Sequence, residues 1–181
     1  MKETTTTKTT AFAGKLLQLE QHDVVLENGD SAYREIIRHP GAVGVLARKA
    51  DGTFVLVRQY RKAVEQYMTE VVAGLLDAGE EPEIAARREL LEETGCVAKA
   101  LIHLGTVHAS PGYVDEKVEV YLGELDGAAA VDQELDHGEH VEVVLMSREE
   151  LSAAIRSGRI QDAKTLAAWA LFLEYERRPR A

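Results

Sequence analysis

The 181-residue chain has one cysteine, Cys96, which excludes an internal disulfide and any multi-thiolate metal centre. Basic side chains are in the minority, with 21 Lys and Arg against 31 Asp and Glu, a formal net charge of −10. A general binder of nucleic-acid backbone needs a field of Lys and Arg, so no nucleic-acid partner is expected. An anionic substrate stays open, because acidic sites hold one through bridging divalent cations. No apolar run approaches eighteen residues, so no spanning helix and no membrane partner are expected. The first ten residues hold six threonines and no apolar stretch or arginine, unlike a secretory or mitochondrial signal. That pattern fits a cytoplasmic protein whose residues 1–13 form a flexible leader. With 45% apolar and 29% charged residues, the rest suffices for one ordinary domain with a short extension.

Punctuation by turn residues organises the remainder. Asn28-Gly29 separates two strand-like runs, 23–27 and 31–37, and predicts a hairpin with a type I′ turn. Asp51-Gly52 separates a second pair, 42–47 and 53–59, and 67–73 reads as another short strand. The pattern turns helical from Pro82 to Thr94, with Pro82 suited to the first turn and Gly95 to the C-terminal cap. Short strands resume at 97–107, 117–123 and 141–146, and 127–137 reads as a loop of low hydrophobicity. Ser147-Arg148-Glu149-Glu150 is a capping box that opens a short helix. A last helix over 162–175 places Leu166, Trp169, Ala170 and Leu173 on a core stripe. Many strands, one central helix and terminal helices predict an α+β fold with a mixed sheet. Residues 14–40 are set apart as an N-terminal β extension, ahead of a main domain over 41–181.

The chemistry concentrates between Gly74 and Cys96. At about 100° per residue, with Glu89 at zero, Glu93 falls near +40° and Glu92 near −60°. Three carboxylates thus share one arc. Ala85 and Ala86 lie on that arc one turn earlier, and Ile84 and Leu91 on the opposite side are expected to be buried. A run of acids is most often a solvated face. Two features weigh against that here. Like charges at these spacings cost a few tenths of a kcal/mol per pair. They also crowd the last helical turn, where the macrodipole disfavours negative charge. A compensating cation is expected, and hard oxygen ligands suit Mg²⁺ or Mn²⁺. Arg88, beside Glu92, is placed to hold one carboxylate.

The spacing Gly74, Glu80, Arg88-Glu89-Leu90, Glu92-Glu93, Gly95 and an apolar residue resembles the box of the Nudix hydrolases at all nine specified positions. Cys96 takes the usually aliphatic last place as a small apolar substitute. The resemblance implies an α/β/α sandwich whose loop–helix–loop binds two or three divalent cations. It also implies hydrolysis of a nucleoside diphosphate linked to another moiety. In that family the residues matching Glu89 and Glu93 are metal ligands, Glu92 is an accessory or orienting carboxylate, and the Ala73 carbonyl commonly joins them. Gly74, Glu80, Arg88 and Gly95 would then be structural.

The flanks are similar to the ADP-ribose pyrophosphatases of that superfamily. Pro111 stands fifteen residues past Cys96, within Ala109-Ser110-Pro111-Gly112-Tyr113 and ahead of Asp115-Glu116. Upstream, His39-Pro40-Gly41-Ala42-Val43 and Arg58-Gln59-Tyr60-Arg61 fit the same group. The resemblance implies Mg²⁺-dependent cleavage of ADP-ribose to AMP and ribose 5-phosphate. GDP-mannose or another nucleotide sugar, or a nucleoside triphosphate, are alternative substrates, and a non-catalytic ADP-ribose binder is a further one. It carries Arg61, Arg58, Glu70, Pro111 and Glu116 to the substrate side. The general base is assigned to Glu139, with Glu134 and Asp136 as rivals, and Tyr33 is a candidate to stack the adenine. Arg61 and Arg58 equally suit surface ion pairs, and Glu116 an exposed strand position. The same group implies a homodimer with exchanged N-terminal strands.

Overall fold

A computed structural model of the chain describes residues 1–125, 127, 131–135, 138 and 140–178. Two hairpins are closed by the same turn chemistry. β2 (Gln18–Leu26) and β3 (Ser31–Arg38) pair antiparallel, as do β4 (Ala42–Arg48) and β5 (Phe54–Arg61). In the first, Gly29 N–H donates to Leu26 O at 2.9 Å, Leu26 N–H to Asp30 O at 2.9 Å, and Gly29 has φ 90°. In the second, Gly52 N–H donates to Lys49 O at 2.9 Å, Lys49 N–H to Thr53 O at 2.8 Å, and Gly52 has φ 88°. Both are turns with a single left-handed glycine, rather than the type I′ turn expected at Asn28-Gly29. Asn28 stays at negative φ and instead accepts from Asp30 N–H at 3.1 Å. An Asx acceptor at this place favours the turn that keeps the extra residue.

The chain divides into two units, residues 1–41 with 108–117, and residues 42–107 with 118 onwards. The first holds an antiparallel sheet in the order β1-β2-β3, whose β1 spans Glu3–Ala13. The segment expected to be a flexible leader is therefore a strand. Its threonines favour extended backbone, and Lys8 ties it to Glu20 of β2 at 2.9 Å. Glu20 is buried and also accepts from Arg38 Nε at 2.7 Å and His22 Nε2 at 3.0 Å. Lys8, then Arg38 and His22, hold its pKa down at about 2. The 108–117 segment, expected in the main domain, joins this unit. Ile37 N–H donates to Tyr113 O at 2.8 Å, and Asp115 accepts from Arg38 Nη1 at 2.9 Å.

The second unit is a sandwich around a mixed seven-stranded sheet. Its path is β10-β5-β4-β9-β8, formed with β8 (Ala98–His108), β9 (Lys117–Leu125) and β10 (Val141–Met146). β4 and β9 run parallel, and the other registered pairs are antiparallel. The run 67–73, read as one strand, breaks at Val71 into β6 (Gln66–Glu70) on β5 and β7 (Val72–Leu75) on β4. Alternation along β5 sends Phe54 and Leu56 to one face and Val55 and Val57 to the other. The first face packs α2 (Arg148–Arg156) and α3 (Ala163–Arg177), and the second packs α1 (Pro82–Thr94). Layers of helix, sheet and helix follow, as expected from the sequence.

Two helices turn to the core a side that differs from the one expected, wholly in α1 and in part in α3, where Trp169 and Leu173 do pack on the core. α3 buries Thr165, Ala168, Trp169 and Phe172, while Leu166 and Ala170 are exposed. Phe172 and Trp169 both pack edge-on against Phe54, at 5.4 and 5.5 Å between centroids, and the larger aromatic payload sets the rotation. α1 buries Ala85, Ala86, Leu90 and Glu93, whereas Ile84 is 59% exposed and Leu91 only partly covered. The alanines let the helix approach the sheet closely. The acidic arc therefore faces the sheet, not open solvent.

Candidate functional site

The box begins where β7 ends. Gly79 (φ 79°) closes a turn in which Glu80 N–H donates to Asp77 O at 3.0 Å. Pro82 sits in the first turn of α1, and Gly95 ends the helix at φ 67° with its N–H donating to Leu91 O at 2.7 Å. Those two ends orient the carboxylates. Glu93 is 5% exposed and accepts from Ala73 N–H at 3.3 Å. Glu89 lies over Gly74 so closely that a Cβ there would fall 1.8 Å from its Cδ. The two acids therefore rest against consecutive residues of β7.

Arg88 organises the rest. Its Nε and Nη2 donate to the two oxygens of Glu80 at 3.0 and 2.9 Å, and Nη2 also reaches Leu75 O at 3.1 Å. Nη1 donates to Glu89 Oε1 at 2.6 Å and Glu92 Oε2 at 3.1 Å. The forked guanidinium thus binds three carboxylates and one carbonyl, which a lysine cannot reproduce. Arg88, aided by the Asp77 N–H, holds the Glu80 carboxyl down at about 2. Arg88 in turn is held above its ordinary value, first by Glu80.

Arg88 is thus shared among Glu80, Glu89 and Glu92, and Arg61 lies within electrostatic reach of Glu93. Among the described residues no three acidic, histidine or cysteine side chains converge as a ready-made ligand cluster. In donor type, however, the site fits a hard divalent cation. Carboxylate oxygens of Glu93 and Glu89 lie against the adjacent residues Ala73 and Gly74, the latter bare of a side chain, and Glu92 is a third acid on the same helix.

The residues expected on the substrate side fall in both units. Glu70 is fully buried rather than open to a ligand, and Arg61 Nε and Nη2 pair with its two oxygens at 2.8 and 2.7 Å. Arg58 lies over the Tyr67 ring, 4.9 Å from its centroid, and 3.5 Å from Glu142. Pro111 lines a cavity of about 540 Å³ within the first unit, beside Arg34, Arg38 and Tyr113. Glu116, in the same unit, lies 4.0 Å from His39 Nε2. Tyr33 is half exposed and donates to Glu35 at 3.3 Å. Glu139 and Asp136 lie outside the described residues. Glu134 is exposed, and its N–H donates to Glu92 O at 3.0 Å. Cys96 is buried among apolar side chains, as expected.

Two features escaped the sequence reading. The loop at 131–134 docks on the C-terminal end of α1. Val131 N–H donates to Gly95 O at 3.4 Å, and Gln133 Nε2 donates to Glu93 O. These donors satisfy carbonyls that every helix end leaves orphaned. The second is a buried charge set at the start of α3, where Lys164 Nζ donates to Asp162 Oδ1 at 2.8 Å and Glu70 Oε2 at 3.3 Å. Asp162 was legible as a helix start, but Lys164 was not legible as a partner of Glu70 on β6.

Comparison with known proteins agrees with the box. The NUDIX domain model matches residues 38–169. An ADP-ribose pyrophosphatase of Bacillus subtilis (strain 168) is 43% identical, over 93% of this chain and 91% of its own. A methanol dehydrogenase activator of Bacillus methanolicus is 38% identical, over 87% of this chain and 85% of its own. A crystal structure of an ADP compounds hydrolase superposes with a TM-score of 0.83 at 25% identity, covering 97% of this chain and 94% of that one.

Proposed function

The chain belongs to the NUDIX family, and from that premise we propose that it hydrolyses the diphosphate of ADP-ribose to AMP and ribose 5-phosphate. The observation that carries the reading is the placement of Glu89 and Glu93 against Gly74 and Ala73, with Arg88 gripping Glu80, Glu89 and Glu92 behind them. The near full-length likeness to an ADP-ribose pyrophosphatase supports the choice of substrate.

Glu89, Glu92, Glu93 and the Ala73 carbonyl would hold Mg²⁺ or Mn²⁺, two or three ions in all, which neutralise and polarise the diphosphate. The chain's own groups do the remaining work. Arg88 keeps Glu89 and Glu92 in place. Arg61 commits Nε and Nη2 to Glu70, so Nη1 is the edge it offers to a substrate phosphate. Arg58, Glu70, Pro111 and Glu116 complete the proposed substrate set, with Glu70 acting through Arg61. Glu139 takes a proton from the attacking water. That water adds to one phosphorus, the bridging P–O bond breaks, and the two phosphomonoesters leave. Parallel assays of ADP-ribose, GDP-mannose and dATP with Mg²⁺ and with Mn²⁺ test the substrate. The highest kcat/KM is expected for ADP-ribose, and a preference for dATP with release of pyrophosphate would refute the reading.

We further propose that the catalytic domain is residues 41–181 apart from the 108–117 segment, which groups with the N-terminal strands, and that those strands make a cytoplasmic homodimer. β1 is an exposed edge strand of eleven residues, a form that pairs readily with another chain. Sedimentation should give twice the 19.9 kDa chain mass, and a monomer across the micromolar range would refute it.

A further inference from the structure

The four charges Arg61, Glu70, Lys164 and Asp162 form a continuous set between β5, β6 and the first turn of α3. Glu70 is 1% exposed, and the Lys164 side chain only 20%. Arg61 takes both oxygens of Glu70, and Lys164 adds a third donor to Glu70 Oε2 while its other contact goes to Asp162. Asp162 Oδ2 caps α3 through Thr165 N–H at 2.8 Å and accepts the Thr165 hydroxyl at 2.7 Å. Thr165 Oγ1 receives Val71 N–H at 2.9 Å, two residues before the Ala73 that meets Glu93. Two partly exposed cations thus balance two buried anions, which would be costly to leave unpaired. Burial works against the charge on Lys164, yet Asp162 and Glu70 hold its pKa above the ordinary value.

We propose that Lys164 is a positioning residue for Arg61: by neutralising Asp162 and sharing Glu70, it lets Arg61 act on the substrate diphosphate. Without its ammonium, Arg61 is the one cation of this set facing two buried carboxylates. The guanidinium is then drawn into them, and the set changes from neutral to a net charge of −1. An anionic diphosphate meets repulsion where it met a hydrogen-bond donor. Binding suffers more than the chemical step, because the hydrogen bonds of Lys164 go to Glu70 and Asp162 and so act through Arg61.

This inference rests on the proposed role of Arg61, and a double-mutant cycle separates the two. Steady-state kinetics on ADP-ribose with Mg²⁺ are measured for Lys164→Met, Lys164→Gln, Lys164→Arg, Arg61→Ala and the double variant Arg61→Ala/Lys164→Met. Lys164→Met is expected to raise KM about 10-fold with kcat within about 3-fold, as for lost uniform binding. Lys164→Gln, which keeps N–H donors without charge, should match it and covers a folding failure of the methionine variant. Lys164→Arg should restore KM to within about 3-fold of the parent. In the Arg61→Ala background the Lys164 change should have little further effect. A normal KM in Lys164→Met and Lys164→Gln beside a raised KM in Arg61→Ala overturns the inference and leaves the proposed function standing. Fully additive effects also overturn it, because Lys164 would then act independently. A normal KM in Arg61→Ala refutes the phosphate role of Arg61, and the inference falls with it.

Discussion

Glu93→Gln is expected to lower kcat on ADP-ribose by about 10³-fold, equivalent to about 4 kcal/mol of transition-state stabilisation. Gln is nearly isosteric with Glu and keeps an oxygen to accept the Ala73 N–H, so the contact between α1 and β7 survives. What disappears is a buried negative charge, 5% exposed, at the end of a helix with no basic residue in its last turn. The macrodipole already places negative charge at that end, so removing the charge is not expected to weaken the helix. The parent and E93Q should therefore melt within about 3 °C of each other, or the variant slightly higher. Calorimetry and steady-state turnover on the same preparations check both halves. Turnover in E93Q within about threefold of the parent would remove Glu93 from the reaction.

Gly74→Ala is the second large effect. The new Cβ would lie 1.8, 1.9 and 2.2 Å from Cδ, Oε1 and Oε2 of Glu89, far inside any non-bonded contact. Glu89 is the end of a flexible side chain, so the clash is relieved by swinging the carboxylate away rather than by unfolding the sheet. That swing breaks the 2.6 Å bond from Arg88 Nη1 and takes one hard donor off β7. A loss of kcat of about 10²-fold, with a fall in Tm of about 5 °C, is expected. The Mg²⁺ concentration for half-maximal rate should rise as well. Unchanged kinetics in G74A would show that Glu89 does not work from the position it occupies here.

Signals carried by near neighbours were legible in the sequence. Pro82 and Gly95 bounded α1, Ser147 and Asp162 opened α2 and α3, and the box spacing located the acids. The facing of helices was not legible. Periodicity shows which residues share an arc, but not that Ala85 and Ala86 let the acidic arc of α1 press on the sheet. On α3, an equally plausible stripe through Leu166 and Ala170 lost to the one that brings Phe172 and Trp169 onto Phe54. Long-range charge partners were hidden too. Glu70 and Lys164 are 94 positions apart, and only the folded chain shows that the acid before the box takes a further donor from the last helix. The threonine-rich N-terminus misled because low hydrophobicity reads as disorder, whereas β-branched residues paired to β2 make a strand.

The most direct test of the account is the identity of the products when the protein is incubated with ADP-ribose and Mg²⁺. Ion-exchange separation should show AMP and ribose 5-phosphate appearing in equal amounts as ADP-ribose disappears, and neither should form in E93Q over the same interval. ADP with free ribose, or no consumption of ADP-ribose at all, would contradict cleavage within the diphosphate.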